Sequence, residues 1–166
     1  MKPSPWVVKY ADNVPAKSKV LDLACGMGRH TRLFIERGCH VTAVDIDTKG
    51  VQDLMGNPDC RIIETDLEQS EGWILPLGFD CIVVTNYLYR PMLKHLVKAL
   101  VPGGILIYQT FMLGNEKFGK PSNPEFLLTA DELKETYEHK LEVIAFSQGL
   151  SSTPSMTQQI CARRSL

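Results

Sequence analysis

No apolar run in this 166-residue chain approaches the length that spans a bilayer, and the N-terminus MKPSPWVVKY lacks the long apolar core of a signal peptide. Neither sign of charge is in surplus: the formal net charge is −1. That argues against a basic clamp on nucleic acid, because phosphate binding is largely electrostatic and needs clustered Lys and Arg. A local basic rim stays compatible with the count. There is no Gly-Lys-Ser/Thr step, so no phosphate-binding P-loop is encoded. The five cysteines, Cys25, Cys39, Cys60, Cys81 and Cys161, form no C-x-x-C pair. An odd number of thiols beside apolar runs reads as reduced and buried, which fits the cytoplasm. His30, His40, His95 and His139 lack ligand spacing, so no metal site is expected. Internal repeats and low-complexity tracts are also missing.

What is present is alternation. The length suits one domain. Ser4 as N-cap and Pro5 at the first helical position open a short helix carrying Trp6, Val7, Tyr10 and Ala11 within an N-terminal segment 1–18. Strand-like runs follow at 19–24, 40–44, 60–65, 79–85 and 105–110. Helix-like runs lie between them at 31–37, at 47–55 with Asp47 as N-cap, and at 91–101 with Pro91 in the first turn. Thr129-Ala130-Asp131-Glu132 has the form of a capping box before a helix that ends near His139. Two final strands, at 141–146 and 158–162, are joined by a Ser/Thr/Pro-rich loop at 149–155. A crossover helix between strands implies parallel pairing. The last two strands lack one, so they should form an antiparallel hairpin. The expected fold is α/β: a three-layer, doubly wound, mostly parallel sheet of about seven strands in a single domain spanning 1–166.

In such sheets ligands bind beyond the carboxyl ends of the strands. Strand 1 ends in Asp22-Leu23-Ala24-Cys25-Gly26-Met27-Gly28, strand 2 in Asp45, strand 3 in Asp66, and strand 4 in Asn86-Tyr87. A side-chain-free Gly turn with separated carboxylates suits a ligand that carries a ribose, an exocyclic amine and an ammonium. A lone G-x-G is weak evidence; the acids closing three successive strands give it weight.

From Trp6 to Arg163 this pattern resembles the class I S-adenosylmethionine-dependent methyltransferases, whose first motif is acidic-x-Gly-x-Gly-x-Gly; Ala24 stands at the first Gly. The Gly-Arg-His run at 28–30 is similar to that of the tellurite-resistance and thiopurine-type members. The resemblance implies S-adenosylmethionine as methyl donor and S-adenosylhomocysteine as product. It implies a cofactor set of Asp22, Ala24, Gly26, Gly28, Arg29, Asp45, Ile46, Asp66, Leu67 and Asn86. Within it, Asp22 lies near the methionine ammonium, Gly26 and Gly28 let the backbone approach the methionyl moiety, Asp45 holds the ribose hydroxyls and Asp66 meets the adenine amine.

Three other functions remain open. A nicotinamide enzyme would carry G-x-G-x-x-G, but the third Gly is Thr31, and the Asp22 carboxylate would repel a diphosphate. Asn86-Tyr87-Leu88-Tyr89 matches both ends of the Asn/Asp-Pro-Pro-Tyr motif of enzymes that methylate amino nitrogens of RNA or protein, with both prolines replaced. A non-catalytic cofactor-binding protein would share the same site. The substrate-facing set is Trp6, Tyr87, Tyr89, Arg90, Gln109 and Phe111. The Gly- and Pro-containing loop 111–128 is expected on the substrate side as a lid, closing together with the helix around Trp6. Trp6 and Trp73 suit either plain packing or a cover, Trp6 over the site and Trp73 over the adenine. No catalytic base stands out. A chain this small, without an inserted domain, favours a small-molecule acceptor, with no membrane or partner protein indicated.

Overall fold

The computed structural model describes residues 1–68 and 75–166. Seven strands form one sheet in the order β3-β2-β1-β4-β5-β7-β6. They are β1 (Lys19–Leu23), β2 (His40–Asp45), β3 (Cys60–Glu64), β4 (Phe79–Thr85), β5 (Leu100–Phe111), β6 (Glu142–Leu150) and β7 (Met156–Arg163). The first five pair in parallel, and β7 runs antiparallel to both β5 and β6. Helices α1 (Pro5–Ala11), α2 (Arg29–Glu36), α3 (Arg90–Ala99) and α4 (Glu132–Tyr137) cover the sheet. Val7, Tyr10 and Phe34 pack with Val20, Cys81 and Ile107 on one face, while Leu93, Leu96 and Tyr137 pack with Leu21, Ile82 and Leu106 on the other. The alternate residues of β1, β4 and β5 are thus buried on both faces, as crossover helices require of a parallel sheet. All five cysteines are free thiols. Among the described residues no helix is long and apolar enough to cross a membrane, and no His/Cys/Asp/Glu group could hold a metal ion.

Ser4 caps α1 as its sequence implies, its Oγ accepting the Trp6 N–H at 3.2 Å. Elsewhere several boundaries differ. The 47–55 segment is a 3-10 helix over Lys49–Leu54 capped by Thr48. Asp47 instead forms a local turn, its Oδ1 accepting the Lys49 N–H at 3.0 Å. The third long helix stops at Ala99, and β5 begins at Leu100, before Pro102. Proline disfavours the helical region for Val101, and the extended chain pairs Leu100 with Phe79 across a register shift. The capping box is one-sided: Glu132 accepts the Thr129 N–H at 2.8 Å and its hydroxyl at 3.1 Å, but the N-cap is Asp131 in a left-handed conformation.

Candidate active site

Three left-handed residues build the turn after β1. Ala24 (φ 57°), Gly26 (φ 52°) and Gly28 (φ 71°) alternate with ordinary ones, which is the physical reason for a glycine at every second position. The turn is fastened from two sides. The Cys25 N–H donates to the Val44 carbonyl at 3.0 Å, and the Gly26 N–H donates to Asp45 Oδ2 at 2.8 Å. Arg32 donates to the Met27 carbonyl at 2.7 Å, the Gly50 carbonyl at 3.2 Å and Asp53 at 2.6 Å, tying the turn to the 3-10 helix.

The turn opens on a cavity of about 600 Å³ beyond the carboxyl ends of β1, β2, β3 and β4. Nine of the residues proposed from sequence line it: Ala24, Gly26, Arg29, Asp45, Ile46, Asp66, Leu67, Asn86 and Tyr87. Met1, Cys25, Met27, Glu68 and Thr85 line it as well, and sequence reasoning missed them. Asn86 takes a left-handed φ of 56° and its N–H donates to the Gln109 carbonyl at 2.9 Å, which swings the chain off the sheet and presents Tyr87 to the cavity. The Tyr87 carbonyl accepts the Tyr108 hydroxyl at 2.8 Å. Tyr87 Oη itself is buried with no hydrogen-bond partner among the described residues. Burial and the nearby Glu68 carboxylate push its pKa up, so the phenol stays protonated.

Two members of the expected cofactor set lie behind the wall. Asp22 is 1% exposed and accepts the Thr31 hydroxyl at 2.6 Å. Burial raises its pKa from 3.8 to about 6, against the lowering pull of the Thr31 contacts. Its reach into the cavity is therefore a field from below the turn. Gly28 does not line the cavity either: a Cβ there would fall 2.3 Å from Val51 Cγ1 and 2.6 Å from Arg32 Nη1. Its glycine serves packing against the 3-10 helix. Gly50, which the sequence did not flag, has the complementary role: a Cβ there would meet Met27 Cα at 2.6 Å and the Gly26 carbonyl at 2.7 Å.

The expected substrate side divides. Arg90 is a strut, paired with Glu132 at 2.6 Å and donating to the carbonyls of Glu125 and Leu127 at 2.9 Å each. These bonds hold it away from the cavity. The Tyr89 hydroxyl reaches the Glu68 carbonyl at 3.4 Å, and Phe111 pairs with Thr157 inside the sheet. Trp6 donates to the Ile160 carbonyl at 3.3 Å and lines, with Gln109, a separate hollow. No residue of 111–128 lines the main cavity. The segment is bound to itself and to β7 through Leu113–Leu128, Leu128–Phe111 and Met112–Met156 backbone hydrogen bonds and the buried Asn115. In this structure it is a built connection, and the lid expectation finds no support. Trp73 lies outside the described residues.

His30, which follows the glycine turn, is 2% exposed. Its Nε2 accepts the Ser4 N–H at 3.0 Å, which places the ring proton on Nδ1, 3.4 Å from the Thr85 hydroxyl. Burial lowers its pKa from 6.5 to about 4. With both nitrogens engaged it is no free base. It anchors the segment before α1, which brings Met1 to the cavity and the Lys2 carbonyl within 3.4 Å of Arg29.

The family described as a methyltransferase domain matches residues 20–104, slightly more than half of the 166 residues. The chain belongs to the class I S-adenosylmethionine-dependent methyltransferase family. The trans-aconitate 2-methyltransferase of Sinorhizobium fredii (strain NBRC 101917 / NGR234) is 29% identical to this methyltransferase-family chain over 157 residues, covering 88% of it and 54% of that protein. The chain spans about half the length of the curated relatives it matches. Among solved structures, N-methyltransferase NodS from Bradyrhizobium japonicum WM9 superposes with a TM-score of 0.74 at 19% identity, covering 96% of this chain and 93% of that one. TehB from Haemophilus influenzae gives 0.78 at 20% identity, covering 98% and 62%. Both likenesses show the fold.

Asp45 is the member of this site whose loss is most directly read. Its Oδ2 holds the Gly26 N–H and its Oδ1 accepts the Asp47 N–H at 3.1 Å. Asp45→Ala is expected to weaken S-adenosylhomocysteine binding by about 1–3 kcal/mol, the scale of hydrogen bonds to a charged group. Titration calorimetry measures this directly. The ligand-free melting temperature should fall by only a few degrees, since the freed N–H groups can reach water. Unchanged affinity would remove Asp45 from the binding set.

Proposed function

We propose that this protein transfers a methyl group from S-adenosylmethionine to a small-molecule acceptor. The observation that carries the reading is the cavity itself: a glycine turn, the Asp45 and Asp66 carboxylates and the Tyr87 side chain meet in one crevice of about 600 Å³. Asp45 is placed for ribose hydroxyls, and Asp66 for the adenine amine, with Ile46 and Leu67 as apolar walls. Arg29, half-buried in the cavity wall, is the cation available to a carboxylate, and Asp22 favours an ammonium from beneath the turn. When bound, S-adenosylmethionine supplies an already activated methyl group, so the protein's part is alignment, exclusion of water and electrostatics. The name of the Sinorhizobium relative points to trans-aconitate, a small organic acid.

Other functions are less well supported. The Thr31 hydroxyl that holds Asp22 is one a third glycine of a dinucleotide fingerprint could not supply. The turn at Asn86-Tyr87-Leu88-Tyr89 is made by a left-handed Asn86, without the prolines of the amino-nitrogen motif. Titration calorimetry should show both S-adenosylmethionine and S-adenosylhomocysteine binding. Labelled cofactor should then be converted to S-adenosylhomocysteine when the right member of a metabolite library is present. Tight NADH binding with no response to S-adenosylhomocysteine would overturn the proposal.

A further inference from the structure

Thr85, on the wall of the main cavity, is the first member of a polar rung that crosses the sheet. It stands opposite Gln109 on β5, Gln109 opposite Gln159 on β7, and Gln159 opposite Ser147 on β6. Strands are spaced by about 4.8 Å, so Gln159 lies about 10 Å from Thr85 along the rung. Gln109 and Gln159 form the floor of a second hollow of about 340 Å³ between α1 and the turn joining β6 to β7. Trp6 and Lys9 of α1 close one side, and Ser152 of the turn lies on the other.

The hydrogen bonds of this hollow leave donors unused. Ser4 Oγ accepts the Trp6 N–H and donates to Gln109 Oε1 at 2.5 Å. That fixes the Gln109 amide with its NH₂ as the free end. Among the described residues the Gln159 side chain has no hydrogen-bond partner. Lys9 holds its ammonium 5.2 Å from the Tyr10 ring centroid and 6.0 Å from that of Trp6. Among the described residues no carboxylate lines the hollow. One cation, two amide donors and an aromatic face, with no acid, make a site for an anion of small organic size. Between this hollow and the main cavity stand the buried Ser4, His30 and Thr85, linked to one another and to Gln109 by hydrogen bonds.

We propose that this hollow is a second binding site, separate from the main cavity, and that it takes a carboxylate group of a small polycarboxylic acid, held by Lys9, Gln109 and Gln159. The proposal goes beyond the methyl-transfer reading, because the residues that hold the acid do not line the main cavity.

The test is a nitrogen-15 NMR titration of the full chain loaded with S-adenosylhomocysteine, with trans-aconitate and citrate as probes and glucose as the uncharged control. The side-chain amide signals of Gln109 and Gln159 should move with the acids and not with glucose. Lys9→Ala should raise the acid's dissociation constant by about tenfold, as expected for losing one charge-assisted contact. Its affinity for S-adenosylhomocysteine should stay within about twofold, because Lys9 does not line the main cavity. A Gln159→Leu variant should lose the acid response in the same way while retaining the cofactor response. Signals that stay still with both acids, or that move equally with glucose, overturn the subsite. The backbone signals of Gly26 and Met27 report the cofactor in the same tubes: if they fail to respond to S-adenosylhomocysteine, it is the methyl-transfer reading that has failed.

Discussion

Replacing Asp22 by asparagine should stabilise the ligand-free protein at neutral pH, by an amount that grows from near zero at pH 4 to about 3 kcal/mol above pH 6, for a shift from 3.8 to about 6. The sign follows from burial. The folded state holds the Asp22 proton more tightly than the unfolded chain does, so stability is lost as pH rises between those values. His30 behaves oppositely. Its folded pKa is lowered from 6.5 to about 4, so stability is lost as pH falls through that window, again by about 3 kcal/mol. In the parent chain the two terms oppose each other between pH 4 and 6. His30→Gln keeps an acceptor for the Ser4 N–H and removes the imidazole term, so its advantage over the parent should grow towards acid. Urea unfolding of the parent and both variants across pH 4–8 separates the two terms, since other titrating groups cancel in the differences. Differences that do not vary with pH would show that neither group titrates as its burial implies. The Asp22→Asn gain should come with weaker binding of S-adenosylmethionine, because the ammonium loses the field of the buried carboxylate; this is the trade between stability and function expected of a site residue.

Gly28→Ala should destabilise the protein by about 2–4 kcal/mol, combining a left-handed alanine with overpacking of a tight contact. Its Cβ would stand 2.3 Å from Val51 Cγ1, and Val51 is fully buried. The Arg32 guanidinium on the other side is held by three hydrogen bonds and cannot simply swing away. Gly50→Ala should act differently. Its backbone is ordinary, but its Cβ would meet the backbone of Met27 and Gly26, so the turn itself must move. Cofactor affinity should drop by at least about tenfold with a smaller loss of stability, about 1–3 kcal/mol. Gly26→Ala is the control: its Cβ meets nothing within 4 Å, and only the left-handed backbone, about 1–2 kcal/mol, is at stake. Thermal melts and calorimetry on the three variants distinguish packing from ligand contact. Equal effects at all three would refute the division of roles.

Much of the site was legible because its members close strands or shape a turn. Asp45, Ile46, Asp66, Leu67 and Asn86 each follow an apolar run directly, and all five line the cavity. Where the structure places a residue away from the cavity, the cause is physical. Asp22 and Gly28 carry the motif pattern, but position in a motif does not say which way a side chain points, and both face the packed interior. Arg90 follows β4 as a substrate-facing residue would, yet Glu132, 42 positions later, takes its guanidinium. The 111–128 segment has the composition of a lid; Asn115, 1% exposed, gives it an anchored interior.

The sequence by itself determined the seven strands, their alternation with helices up to the antiparallel ending, and the glycine turn flanked by acids. Each of these is set by neighbours in the chain, through periodicity, missing crossover helices and left-handed backbone positions. Only the tertiary structure decided that Ser4 meets His30 across 26 positions, that Thr85 meets His30 across 55, and that Gln109 meets Ser4 across 105. It likewise decided which glycine serves the cavity and which serves the packing beneath it. Contacts between distant segments depend on strand order and register. Those are settled by burying both faces of the sheet at once, a condition on the whole chain that no local pattern records.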